Sequence, residues 1–63
     1  LFVYYRTHRE IKYLCIHNFY KEEVHYKVNP NINSVIVHNY ENPKIVENKV
    51  ILRPYESIVL EYK

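Results

Sequence analysis

The sequence predicts an all-β fold, a small antiparallel β-sandwich or open barrel of about six short strands, on three observations. Apolar and polar residues alternate with a period of two along most of the chain; β-branched and aromatic residues dominate those stretches; asparagine and proline interrupt them at short intervals. Strand-length segments this close together, with no long helical pattern between them, suit sheets joined by short links.

The first strand is expected over residues 1–6, where Phe2, Val3, Tyr4 and Tyr5 supply aromatic and β-branched side chains. A polar link, Thr7-His8-Arg9-Glu10, leads to a second strand over residues 12–17, Lys-Tyr-Leu-Cys-Ile-His. Tyr20-Lys21-Glu22-Glu23 could form one helical turn, far below the length at which a helix stands alone. Residues 24–28 are the cleanest strand, because Val24, Tyr26 and Val28 alternate with His25 and Lys27 and so share one sheet face. Asn29-Pro30-Asn31 breaks the chain before a fourth strand over residues 34–38, and Asn42-Pro43 breaks it again, since proline cannot donate to a ladder. Residues 49–53 and 57–62 complete the set, joined by the corner Pro54-Tyr55-Glu56-Ser57, where the Glu56 carboxylate can accept backbone N–H bonds.

The chain has no glycine, so turn positions that need a positive φ are expected to fall to its seven asparagines. Two triplets echo each other: His17-Asn18-Phe19 and His38-Asn39-Tyr40 each end a strand. A strand-terminal asparagine can bond its own backbone two residues on while the next aromatic folds over the sheet. Asn18, Phe19, Asn39 and Tyr40 are therefore read as strand-end turn residues, with no shared ligand.

Sixty-three residues make one small domain, short of core, which usually needs a disulfide, a metal or a partner. The single cysteine, Cys15, excludes an internal disulfide. Nine Lys/Arg against seven Glu, scattered along the chain, build no basic groove, so no nucleic-acid partner is expected. No apolar run approaches the ~18 residues of a membrane-spanning helix, and no membrane partner is expected either. Tyr, Asn, Ile and Lys fill 28 positions, and their A/T-rich codons suggest a low-GC bacterial gene. A lone cysteine in mid-strand suits a reducing, cytoplasmic compartment.

Chemistry is sparse. His8, His17, His25 and His38 show no metal-ligand spacing; His17 and His25, on successive strands, could at most face each other across a ladder, and no metal or cofactor is expected. Cys15, between Leu14 and Ile16, reads as a buried small hydrophobe rather than a nucleophile. The seven glutamates read as surface charges, Glu56 excepted. Exposed Tyr4, Tyr13 or Tyr20 could stack on sugar rings, which leaves an independent carbohydrate-binding module as the second functional reading.

Four strings carry a resemblance: residues 1–7, Leu-Phe-Val-Tyr-Tyr-Arg-Thr; 12–19, Lys-Tyr-Leu-Cys-Ile-His-Asn-Phe; 34–40, Ser-Val-Ile-Val-His-Asn-Tyr; and 52–60, Leu-Arg-Pro-Tyr-Glu-Ser-Ile-Val-Leu. In order and spacing the chain resembles the C-terminal β-domain of α-glucosidases of glycoside hydrolase family 13. The oligo-1,6-glucosidase (isomaltase) type is most similar, and trehalose-6-phosphate hydrolases and dextran glucosidases share much of the pattern. The resemblance implies a β-domain packed against a catalytic TIM barrel whose Asp nucleophile and Glu acid/base lie outside these residues. The chain contains no aspartate, so no catalytic residue transfers onto it. The link over residues 7–10 departs from the pattern, since relatives commonly carry glycine there. The chain is accordingly expected to be a non-catalytic C-terminal fragment of a larger enzyme, with the parent's barrel as partner. Leu52, Pro54, Tyr55 and Glu56 are expected to form the structural corner that locks the last strand. Alone, the chain is expected to be marginally stable or to self-associate.

Overall fold

The computed structural model describes residues 1–62 and is all-β. Seven strands form, β1 (Phe2–His8), β2 (Ile11–His17), β3 (Val24–Lys27), β4 (Ile32–His38), β5 (Lys44–Val46), β6 (Lys49–Leu52) and β7 (Ser57–Tyr62). They make two antiparallel sheets, a four-stranded one in the order β1-β2-β7-β4 and a three-stranded one in the order β3-β6-β5. The sandwich therefore has one strand more than the pattern predicts. The extra strand, β5, has only three residues between Pro43 and Glu47, too few for alternation to register.

The period of two decides which side chains are inside. In β7, Ile58, Leu60 and Tyr62 point inward and are buried, while Ser57, Val59 and Glu61 between them are only partly covered. Register extends the same face across the sheet, pairing Leu14 with Leu60 and Ile16 with Ile58. From the smaller sheet, Val50 and Leu52 meet them, with Val28 and the partly buried Tyr26 and Ile45 at the margins. Val24, Tyr26, Val28, Ile58 and Leu60 thus lie on the inside of the sandwich, and all but Val24 pack into its core. They are not available to cover a neighbouring domain.

Turn chemistry differs from the expectation about asparagine. Positive φ occurs at Arg9 (51°), Glu10 (66°), Asn42 (50°), Glu47 (56°) and Tyr55 (57°), so asparagine fills one of five such positions. The cause at Arg9 and Glu10 is register: His8 pairs with Ile11, leaving a two-residue hairpin loop. Its right-handed twist requires both central residues at positive φ, where Asn-Gly is favoured. The expected link of residues 7–10 shrinks to these two residues because Thr7 and His8 continue the ladder. Each residue with a Cβ held there costs about 1–2 kcal/mol. Glycine at the second position gives back roughly 0.4–1 kcal/mol through the freer unfolded chain. The double change Arg9→Asn, Glu10→Gly is expected to stabilise the domain by about 1 kcal/mol and raise the melting midpoint by roughly 4–8 °C. A midpoint unchanged or lowered in thermal circular dichroism would contradict the strain assignment.

Candidate functional site

Asn18 and Glu56 are the two buried polar residues among those described, at 1% and 0% exposure. Both sit where β2, β6 and β7 end. Glu56 Oε1 accepts the Arg53 backbone N–H at 2.7 Å and its guanidinium Nε–H at 3.0 Å, and Oε2 accepts from the guanidinium Nη2 at 3.1 Å. The Glu56 N–H in turn donates to the Arg53 carbonyl at 3.0 Å. Burial pushes the Glu56 carboxyl upward, but hydrogen bonds from the Arg53 guanidinium and N–H, and the positive charge beside it, outweigh burial and hold it below the usual carboxylate value. Arg53 is shifted up, chiefly by its hydrogen bond to Glu56. The same guanidinium caps the Glu41 and Asn42 carbonyls and lies 4.4 Å above the Tyr40 ring.

Asn18 joins strands that are far apart in the chain. Its amide nitrogen donates to the carbonyls of Glu22 (2.9 Å), Arg53 (3.1 Å) and Leu52 (3.4 Å), and its Oδ1 accepts the Tyr20 N–H at 3.0 Å. Its own N–H donates to the Glu56 carbonyl at 2.8 Å. Asn39 approaches the corner from the other side: Nδ2 donates to the Tyr55 carbonyl and Oδ1 accepts the Ser57 N–H. The Tyr40 hydroxyl donates to the Pro54 carbonyl at 2.6 Å. The structure thus brings Asn18, Asn39, Tyr40, Leu52, Pro54, Tyr55 and Glu56 to one end of the sandwich. Two features of this cluster escape sequence reasoning: Arg53 as the partner of Glu56, and the bonds of both asparagines to the β6–β7 link. Only an Arg three residues before a Glu hinted at the first. Asn18 does bond its backbone two residues on, whereas Asn39 spends its oxygen on Ser57 across the sheet.

A second concentration lies on the outer face of the four-stranded sheet. Phe2 and His17 are paired, as are Tyr4 and Cys15, so all four side chains point outward from β1 and β2. Tyr4 and Phe19 stack on His17 at 6.0 and 6.1 Å between centroids, and Phe2 leans on Tyr4 at 5.2 Å. The His17 Nδ1 is 2.9 Å from the Ser57 hydroxyl. Phe2 and Phe19 remain more than half exposed at 53% and 65%, while Cys15 is buried beneath the cluster as a free thiol. The outer face of the smaller sheet is more polar, carrying His25, Lys27, Lys44 and Lys49 around Val46 and Ile51. His17 and His25 therefore sit on the outer faces of different sheets and cannot oppose each other. His25 instead pairs with Glu23 at 2.9 Å.

Among the described residues no three His, Cys, Asp or Glu side chains are grouped to hold a metal ion. The three tyrosines read as sugar platforms are dispersed. Tyr4 is engaged in the aromatic stack, Tyr13 lies further along β2, and Tyr20 is exposed beside the corner.

No curated protein and no solved structure gives a significant match to the chain. The family model of the alpha-amylase SusG C-terminal domain matches residues 1–59, nearly the whole sandwich, including both sheets and the Asn18–Glu56 corner. The chain, a two-sheet β-sandwich, belongs to the alpha-amylase SusG C-terminal domain family.

Proposed function

We propose that this chain is the non-catalytic C-terminal domain of a bacterial, cytoplasmic α-glucosidase that hydrolyses short α-glucosides, the α-1,6 links of isomalto-oligosaccharides above all. It would pack against and stabilise that enzyme's catalytic barrel. The match over residues 1–59 carries the accessory role. The substrate class rests on the resemblance of the Leu52-Arg53-Pro54-Tyr55-Glu56 region and the preceding strings to the oligo-1,6-glucosidase type. The corner around Asn18 and Glu56 serves this role by fixing the start of β7, the strand on which the larger sheet is built.

The buried apolar residues pack between the two sheets, so the barrel would meet an outer face, and the two outer faces differ. On the outer face of the β3-β6-β5 sheet three lysines and His25 surround Val46 and Ile51, so its apolar surface is broken up by groups that favour water. The Phe2–Tyr4–His17–Phe19 stack offers exposed aromatic surface of the kind enriched at the centre of interfaces. The barrel would seat there. Combined Phe2→Ser and Phe19→Ser is expected to release this chain from the catalytic domain when the two are produced as separate pieces and copurified. The same change should abolish self-association of the 63-residue chain in sedimentation. Copurification unaffected by the double change would sink the face assignment. A reading frame without a catalytic domain ahead of these residues would sink the accessory role itself.

A further inference from the structure

The two sheets are unequal in length. β1, β2 and β4 have seven residues each and β7 has six, against four, four and three in β3, β6 and β5. The larger sheet therefore outruns the smaller one, and part of its inner face has no sheet opposite. Tyr5 and Lys12 lie on that stretch beside the buried Tyr62, since Tyr5 pairs with the core residue Leu14 and Lys12 pairs with Tyr62. The β3–β4 link passes over them and brings Asn29 and Asn31. These five residues line a cavity of about 210 Å³, open to solvent on one side.

The lining has a definite chemical character. The Tyr62 hydroxyl donates to the Asn29 carbonyl at 3.0 Å, and Asn29 Oδ1 accepts the Asn31 N–H at 3.0 Å, which fixes the link over the cavity. The Asn29 amide nitrogen and both ends of the Asn31 amide are not used in those bonds. The Lys12 ammonium is held 4.7 Å from the centroid of the Tyr5 ring, and Tyr5 is 57% exposed. No lining residue is acidic. Burial, with Tyr5 and Tyr26 nearby, keeps the Tyr62 phenol above its ordinary value, so it stays a neutral hydroxyl.

Two carboxamides, two phenols, one ammonium and an aromatic ring offer donors and acceptors side by side. A sugar's hydroxyl groups both donate and accept and can satisfy such a set. An inorganic anion is held chiefly by positive charge, and this lining supplies a single cation, already engaged with a π face. The volume lies below the ~300 Å³ at which drug-sized ligand sites begin, which suits one pyranose ring and not two.

We propose that this cavity is a carbohydrate subsite that takes a single hexopyranosyl unit of a short α-glucoside. The choice of an α-glucoside rests on the proposed parent enzyme; the class, a neutral sugar, rests on the lining alone. A subsite this small and open holds its ligand with a low-millimolar dissociation constant. It would raise the local concentration of substrate next to a catalytic domain rather than act as an independent module.

The test is a titration of the isotopically labelled 63-residue chain with isomaltose, maltose and inorganic phosphate, followed by amide chemical shifts. Saturable shifts with the sugars are expected at Tyr5, Lys12, Asn29 and Asn31. Tyr5→Ala and Asn31→Ala, both at exposed positions, should each weaken binding about tenfold and leave the remaining spectrum in place. Three outcomes overturn the subsite: no sugar-dependent shifts at these residues, an equal response to phosphate, or shifts centred on Tyr4 and Tyr20. None of the three bears on the copurification experiment, so the subsite and the accessory role fail separately.

Discussion

Glu56→Ala is expected to lower the unfolding free energy by about 3 kcal/mol, the low end of the range for breaking a buried ion pair by removing one member, and Arg53→Ala is expected to lower it further. The asymmetry follows from exposure. The Glu56 side chain is fully buried, whereas that of Arg53 keeps 20% of its surface in water and bonds the Glu41 and Asn42 carbonyls as well. Loss of Glu56 leaves a partly solvated cation with other acceptors. Loss of Arg53 leaves a carboxylate in the interior with little more than a backbone N–H. A chain of 63 residues has about 3–9 kcal/mol to lose in all, so either change brings it near the unfolding threshold. Urea denaturation of the two variants ranks them, and a smaller loss in Arg53→Ala than in Glu56→Ala would contradict the assignment.

The pair also sets an acid limit. The folded-state value of Glu56 is depressed relative to the unfolded chain, so its contribution is fully present above the unfolded carboxyl value of ~4.3 and is lost as pH falls through the lower folded value. Wild-type stability should therefore decline below about pH 4, and that part of the decline should be missing in Glu56→Gln. Parallel acid limbs in the two proteins would mean that other carboxylates govern the loss.

Asn18→Ala is expected to cost about 2–4 kcal/mol. Its amide is the donor to three carbonyls at the ends of two segments and the acceptor for Tyr20, and alanine leaves part of that set buried and unmade. Asn18→Asp should be worse than alanine at neutral pH, because it turns a carboxylate toward the Glu22, Leu52 and Arg53 carbonyls, and should recover toward alanine as acid protonates it. Asn39→Ala makes the comparison sharp. Asn39 occupies the equivalent place in the echoed triplet but is exposed, so its loss should cost only about 1 kcal/mol. Equal losses at the two positions, measured by denaturant midpoint, would refute burial as the cause of the difference.

Strand positions were legible because alternation leaves a direct mark on sequence: Val24, Tyr26 and Val28 could share only one face, and that face is inside. β5 left no such mark, since three residues hold less than two periods. In a chain without glycine the sequence points to asparagine at positive φ, yet Arg9, Glu10, Glu47 and Tyr55 adopt it because two-residue loops and the tight corner demand it whatever residue is present. At the corner, the Glu56 carboxylate and its role as a backbone acceptor could be anticipated from the local string. Its ion pair with Arg53 is local as well, but the Asn18 bonds to Leu52 and Arg53 span 34 and 35 residues and depend on which strands become neighbours. The cavity between Tyr5, Lys12, Asn29, Asn31 and Tyr62 depends on two sheets of unequal length, which no single segment encodes.

The strand order β1-β2-β7-β4 has a consequence for how the domain comes into being. β1 and β2 form a local hairpin and can pair as soon as both exist. β4 has no partner until β7 arrives, and β7 must insert between β2 and β4, pairing with each along nearly its whole length. Residues 57–62 are thus the keystone of the larger sheet and the last of its strands to be synthesised. A chain stalled at Glu56 would carry two bare strand edges and half a core, a form prone to sticking to its neighbours. The larger sheet is therefore completed only once the chain is translated through residue 62.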